Sequence, residues 1–174
     1  AINFTPKWYV DSNFYDTTFA KWNTAGNADN VYVRMAFYPF EQASEHPAVQ
    51  QYLDLIKASG GKTGLLGAQA TTNFLLWASA AQECGSTLTS DCVMGKLKAI
   101  NEWDGGGLHS NTDPGANLPP DCGMLVQLKG TEYVQVAPST KAQMECSPKF
   151  IGSVTGPVVD AAKLDANRVS LVAQ

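Results

Sequence analysis

Residues 31–40 read VYVRMAFYPF, residues 41–47 EQASEHP, residues 48–61 AVQQYLDLIKASGG and residues 65–85 LLGAQATTNFLLWASAAQECG. Val31, Val33, Met35 and Phe37 alternate with Tyr32, Arg34 and Ala36, the period of a strand with one buried face. Pro39, Phe40 and Glu41 close that strand. Pro47 suits the first turn of a helix, where its missing N–H would be unpaired anyway. Val49, Tyr52, Leu53 and Ile56 then form one apolar stripe, and Gly60-Gly61 ends it. The next helix, Leu65 to Glu83, is apolar nearly all round, which predicts burial on several sides.

Working outward, Lys7 to Val10 reads as a short strand and Asp11-Ser12-Asn13 as a polar turn. A short helix spans Tyr15 to Trp22, and Asp16 can cap it by accepting an orphan backbone N–H. Gly26, Asn27, Asp29 and Asn30 are turn chemistry. Downstream, a third helix begins near Ser90 with Val93, Leu97 and Ile100 on one face. Residues 103–122, WDGGGLHSNTDPGANLPPDC, form a loop long enough to suggest a function. A hairpin follows, from Met124–Leu128 through a Lys129-Gly130 turn to Tyr133–Val136. Val158 to Val172 reads as a terminal helix or an extended segment. Helices alternating with strands define an α/β class. The strands are too few for a complete doubly wound sheet, so part of the fold is expected to lie elsewhere.

The 174 residues are 44% hydrophobic and only 16% charged, with a net charge of −4. Scattered Lys and Arg give no basic stripe, which argues against a nucleic-acid partner. The longest uncharged run, Lys62 excluded, contains Gln69, Thr71, Thr72, Asn73 and Ser79; it is too polar for a bilayer span of roughly 20 apolar residues. Cys84, Cys92, Cys122 and Cys146 form no C-x-x-C pair, and neither His46 nor His109 sits close in sequence to a cysteine, so no metal site is expected. Their wide, even spacing reads as two disulfides in an oxidising compartment; four buried thiols are the alternative. Pairing neighbours closes small loops, which predicts Cys84–Cys92 and Cys122–Cys146.

No catalytic signature is present, and no cofactor is implied. Gly105-Gly106-Gly107 lacks the Lys and Ser/Thr that would follow in a phosphate loop. His109, beside Ser110 with Asp104 and Asp113 nearby, leaves open a hydrolase using His109. Asp104, Asn111, Asp113, Asn117 and Asp121 leave open a secreted calcium- or sugar-binding module, although their spacing matches no EF-hand. Aromatic residues cluster at the front: Phe4, Trp8, Tyr9, Phe14, Tyr15, Phe19 and Trp22. Of these, Phe4, Phe19 and Trp22 suit a core best. Asp11 to Phe14 directly follow a strand, where open α/β sheets bind ligands.

The ordered set resembles the extracellular solute-binding proteins of ABC transporters, the leucine/isoleucine/valine receptor type with the periplasmic-binding-protein type I fold. Val10-Asp11-Ser12-Asn13-Phe14 stands where a strand-end turn of that family touches the solute. Phe37-Tyr38-Pro39-Phe40-Glu41 stands where its chain crosses between lobes. Leu66 stands where the family often has a pocket aromatic, with Gln69 one turn on. The 105–138 segment is similar to the Gly-rich loop and return hairpin of an actinobacterial-type branch, with a cysteine at each end like Cys122 and Cys146. The resemblance implies an incomplete, distal half of a two-lobed fold: 1–34 as second-lobe end and hinge approach, 35–102 as helices packing on the first lobe, 103–146 as loop and return hairpin, and 147–174 as tail. It implies no catalysis, and an amino acid or similar small polar solute bound by Asp11, Ser12, Asn13, Phe14, Tyr15, Tyr38, Leu66 and Gln69. The implied partners are a membrane permease and the missing half or a second copy that substitutes for it. The implied location is extracytoplasmic, periplasmic or at the cell surface, with lipid anchoring through an absent N-terminus.

Overall fold

The computed structural model describes residues 4–152 and Gly156. A mixed sheet runs in the order β1 (Trp8–Val10), β2 (Val31–Met35), β3 (Cys122–Lys129), β4 (Glu132–Ala137), and β5 (Glu145–Cys146) pairs with the start of β3. β1 and β2 are parallel, whereas β2–β3 and β3–β4 are antiparallel. A parallel pair needs a crossover, and α1 (Thr17–Trp22) lies in that connection. Between β2 and β3 come α2 (Pro47–Ala58), α3 (Leu65–Cys84) and α4 (Ser90–Leu97). The chain is therefore mixed α/β.

Strand alternation dictates the core. Val31, Val33 and Met35 of β2 are buried, as are Cys122, Met124, Val126 and Leu128 of β3, so one face of the sheet is apolar throughout. Tyr15, Leu65 and Tyr133 pack against these side chains. Burying each large side chain contributes about 1.5–3 kcal/mol. Tyr15 also organises polar groups inside this core. Its hydroxyl donates to the Glu41 carboxylate at 2.5 Å and accepts the Phe40 N–H at 2.5 Å. Burial, then the Glu41 charge, raise its phenol far above the ordinary range. Tyr133, its ring tilted against that of Tyr15 with centres 4.7 Å apart, is pushed up to about 12, chiefly by burial.

Two local signals act as expected. Asp16 caps α1, accepting the Phe19 N–H at 2.8 Å. Pro47 opens α2, whose Val49 and Tyr52 are buried. The hairpin turn falls on Gly130 and Thr131, one residue later than the sequence suggests, with Gly130 at φ +55°. Asn23 fixes that register. Its amide donates to Asp29 and to the Gly130 carbonyl, both at 2.8 Å, and its oxygen accepts the Ala28 N–H at 2.7 Å.

Other expectations are corrected. α3 is covered on one stripe only: Leu65, Ala68, Thr72, Ala80 and Cys84 are buried. Leu66, Phe74, Leu75 and Trp77 point outward, because no second layer of the described residues reaches that side. Phe4 and Trp22 are 67% and 64% exposed, so of the three proposed core aromatics only Phe19 packs on the core. α4 stops at Leu97, leaving Ile100 beyond it. The 158–172 segment lies outside the described residues.

Both cysteine pairs are at bonding distance, Cys84–Cys92 at 2.05 Å and Cys122–Cys146 at 2.06 Å. The first ties the end of α3 to α4; the second joins directly paired residues of β3 and β5. Two disulfides indicate an oxidising environment. Among the described residues no helix is long and apolar enough to cross a membrane. The pairs span 8 and 24 residues. Loop closure entropy grows with the logarithm of that span, so replacing Cys122 and Cys146 by Ala should cost about 1 kcal/mol more than replacing Cys84 and Cys92. Urea unfolding of the two double variants gives the comparison; an equal or reversed order contradicts it.

Candidate functional site

A cleft of about 630 Å³ opens where the parallel strands end. Val10, Asp11 and Ser12 border it from β1 and its exit; Arg34, Ala36 and Phe37 border it from β2 and its exit. Gln69, Thr72, Asn73 and Leu76 form the α3 wall. The fourth side is the long loop, from Trp103 through His109 and Ser110 to Asp113, Asn117 and Pro120. That loop pairs antiparallel with the chain leaving β2. Ser110 N–H donates to the Ala36 carbonyl at 2.8 Å and Tyr38 N–H to the Leu108 carbonyl at 3.1 Å, around a Phe37–His109 bridge.

A short relay fixes the loop to α3. The Trp103 indole N–H donates to Thr72 Oγ1 at 2.8 Å, and Thr72 Oγ1 lies 2.8 Å from His109 Nε2. His109 Nδ1 lies 2.7 Å from the Ser110 carbonyl oxygen. Chemistry sets the direction. A carbonyl only accepts, so Nδ1 carries the hydrogen. An indole only donates, so Thr72 is free to donate to the bare Nε2. Burial holds the imidazole pKa below its usual value, against the opposing pull of the Ser110 carbonyl and the Asp104 charge. The neutral ring is the form this relay requires.

The glycine run serves the same contact. Gly105 sits at φ +65°, and a Cβ there would lie 2.6 Å from Thr72 Oγ1 and 3.0 Å from the His109 ring. The N–H groups of Gly107, Leu108 and His109 all turn inward to the Asp104 carbonyl, so they make a turn and not an anion cradle. Asp104 and Asp113 spend carboxylate oxygens on the N–H groups of Gly106 and Ala116 within their own loop. Among the described residues no three His, Cys, Asp or Glu side chains converge as a metal-ligand set. Thr72 is 5% exposed and bonded on both sides. Its hydroxyl is a tie between elements, and among the described residues His109 hydrogen-bonds to no carboxylate.

Asp11, Arg34 and Asp113 are the charged residues lining the cleft. Val10 pairs with Val33, so Asp11 and Arg34 occupy the next positions of neighbouring strands. Val33 and Met35 face the core, which puts Arg34 and Ala36 on the opposite face. Neither Asp11 nor Arg34 forms an ion pair among the described residues. Asp11 does accept the Asn13 N–H at 3.0 Å.

Of the residues expected to contact a solute, the cleft brings together Asp11, Ser12 and Gln69. Asn13 and Phe14 are exposed and outside it. Tyr15 is turned into the core, where Glu41 holds its hydroxyl. Tyr38 borders a second cavity of about 620 Å³, which shares His109 and Ser110 with the cleft, and stacks on His46 with ring centres 3.6 Å apart. Leu66 is on the outer face of α3, 68% exposed. Arg34, Thr72 and Trp103 were not singled out by sequence, and Ser110 was named only beside His109 in the hydrolase alternative. The length of the loop and its lone histidine were the available signals. No protein-family model, curated protein or solved structure matches this chain.

A lowered histidine pKa has a definite sign. The unfolded chain takes up a proton near pH 6.5, ahead of the folded one, so stability is full above that pH and falls as the pH drops toward the folded value. His46 shifts in the same direction through burial. Thermal midpoints measured from pH 7.5 to 5 should therefore fall with acid, and His109→Gln should flatten part of that slope. An identical slope in the variant contradicts a buried neutral His109.

Proposed function

We propose that the chain is a non-enzymatic, extracytoplasmic solute-binding unit of the ABC-importer type, holding an amino acid or similar small polar solute in the cleft beside β1 and β2. The observation that carries this reading is the pair Arg34 and Asp11, neighbours on adjacent strands of one cleft and without an ion pair among the described residues. A cation and an anion so placed complement a zwitterion, the guanidinium accepting a carboxylate and the carboxylate an ammonium. Phe37, Leu76 and Trp103 supply apolar wall, in keeping with pockets that are mostly apolar with a few placed polar groups. The position also agrees with the rule that open α/β sheets bind ligands beyond the carboxyl ends of strands.

In this reading a second lobe closes over the solute, gaining contacts only in the closed state; that differential affinity drives the closure. The exposed apolar face of α3 is the surface that the rest of such a protein, or a second copy, covers. A membrane permease then receives the solute.

Calorimetric titration of a panel of L-amino acids tests the proposal. At least one should bind, and Arg34→Ala and Asp11→Asn should each weaken it by about tenfold or more, the effect of losing a hydrogen bond to a charged group. Unchanged affinity in both variants, or no binding by any member of the panel, refutes it.

A further inference from the structure

The charges lining the cleft do not balance. Asp11 and Asp113 bring two carboxylates and Arg34 one guanidinium. His109 adds no charge, because its relay requires the neutral ring. Among the described residues Asp11, Arg34 and Asp113 form no ion pair. An amino acid held by its carboxylate at Arg34 and its ammonium at Asp11 uses one charge of each sign. Asp113 is then left without a counter-ion.

Asp113 is open to a ligand. It is half-buried, and it lines this cleft but not the second cavity. One carboxylate oxygen accepts the Ala116 N–H at 2.8 Å, and no other donor among the described residues bonds to the group. Asp11 and Arg34 belong to the sheet side of the cleft, whereas Asp113 belongs to the loop wall. A solute anchored at the strand ends therefore meets Asp113 with its side chain, and a long side chain spans the gap. A compact cleft of about 630 Å³ is about 10 Å across, comparable with the Debye length of about 8–10 Å at ordinary ionic strength, so salt does not screen the carboxylate from a ligand inside. Phe37 and Trp103 line the same space, and aromatic faces attract a cation within about 6 Å. A cationic side chain complements all of these groups. A neutral one leaves Asp113 uncompensated, and an acidic one is repelled by it.

We propose that the cleft selects an amino acid with a long cationic side chain and that Asp113 is the residue that specifies it. This inference rests on the amino-acid reading of the cleft.

The probes are L-arginine and L-citrulline, which share a shape and differ in side-chain charge. They are titrated calorimetrically into the 174-residue chain, into Asp113→Asn and into Asp104→Asn. The unaltered chain should bind arginine at least about tenfold more tightly than citrulline, the effect of a hydrogen bond to a charged group. Asp113→Asn keeps an oxygen for the Ala116 N–H and should bring the two within about threefold, through loss of arginine affinity. Asp104→Asn removes a carboxylate of the same loop that lines the second cavity and not the cleft; it should leave the preference within about twofold. A readout without any substitution is salt. The preference should shrink at least about threefold between 0.01 and 1 M salt, as the Debye length contracts from about 30 to 3 Å. Citrulline binding as tightly as arginine, an undiminished preference in Asp113→Asn, an equal loss in Asp104→Asn, or a preference indifferent to salt overturns the inference and leaves the amino-acid reading intact. Binding of neither probe, with other amino acids bound, also overturns only the inference. Binding of no amino acid overturns the reading on which it rests.

Discussion

The site depends on one hydroxyl. Thr72 stands on α3 and accepts a hydrogen bond from the Trp103 indole while facing the bare nitrogen of His109, both at 2.8 Å. Trp103 and His109 lie at the two ends of a glycine turn, so this one side chain clamps that turn against the helix. Gly105 lets the backbone come close enough for the clamp to form, since any Cβ would strike the same hydroxyl. Removing the hydroxyl would strand the buried His109 nitrogen, at a cost of about 1–3 kcal/mol, and the half-buried Trp103 indole N–H with it. The loop between Trp103 and Pro120 would then lose its tie to α3, and the cleft one of its walls.

The rest of the architecture feeds into this clamp. Alternation in β2 puts Val33 and Met35 into the core and leaves Arg34 and Ala36 for the cleft. The loop pairs with the chain leaving β2 through the Ser110–Ala36 and Tyr38–Leu108 bonds, so the sheet that forms the core also aims the cleft floor. Tyr15 and Glu41 lock the strand exit from the core side. The cleft is thus built largely on sheet, helix and tightly bonded loop, the kind of support that keeps a binding geometry preorganised.

Much of the fold was legible because it rests on local patterns. The alternation of β2, the stripe of α2, the Asp16 cap and the Gly130 hairpin each follow from a period or a turn residue within a short window. The neighbour pairing of cysteines was legible for a related reason: both pairs close short stretches of chain. What was not legible depends on contacts distant in sequence. Tyr15 looked like a pocket aromatic beside Asp11, yet Glu41, 26 residues away, draws it into the core. Leu66 was expected as a pocket wall and Phe74 as buried, since α3 is apolar nearly all round, whereas the layer that covers it reaches only the Leu65–Ala68–Thr72 side. Thr72 is ordinary in a helix sequence, and nothing local marks it as the partner of a residue 37 positions on. Asp11 and Ser12 were legible as cleft residues through strand-end geometry, and Gln69 was expected there only through the family resemblance.

The most direct measurement of the clamp is nitrogen-15 NMR of the His109 ring at pH 7 in the unliganded chain. The relay requires a neutral imidazole with its hydrogen on Nδ1, because the Ser110 carbonyl can only accept and Nε2 must stay bare for Thr72. Chemical shifts should show Nδ1 protonated and Nε2 unprotonated, and Thr72→Val should disturb that assignment. A ring protonated on Nε2, or an imidazolium at neutral pH, would contradict the clamp and the cleft built on it.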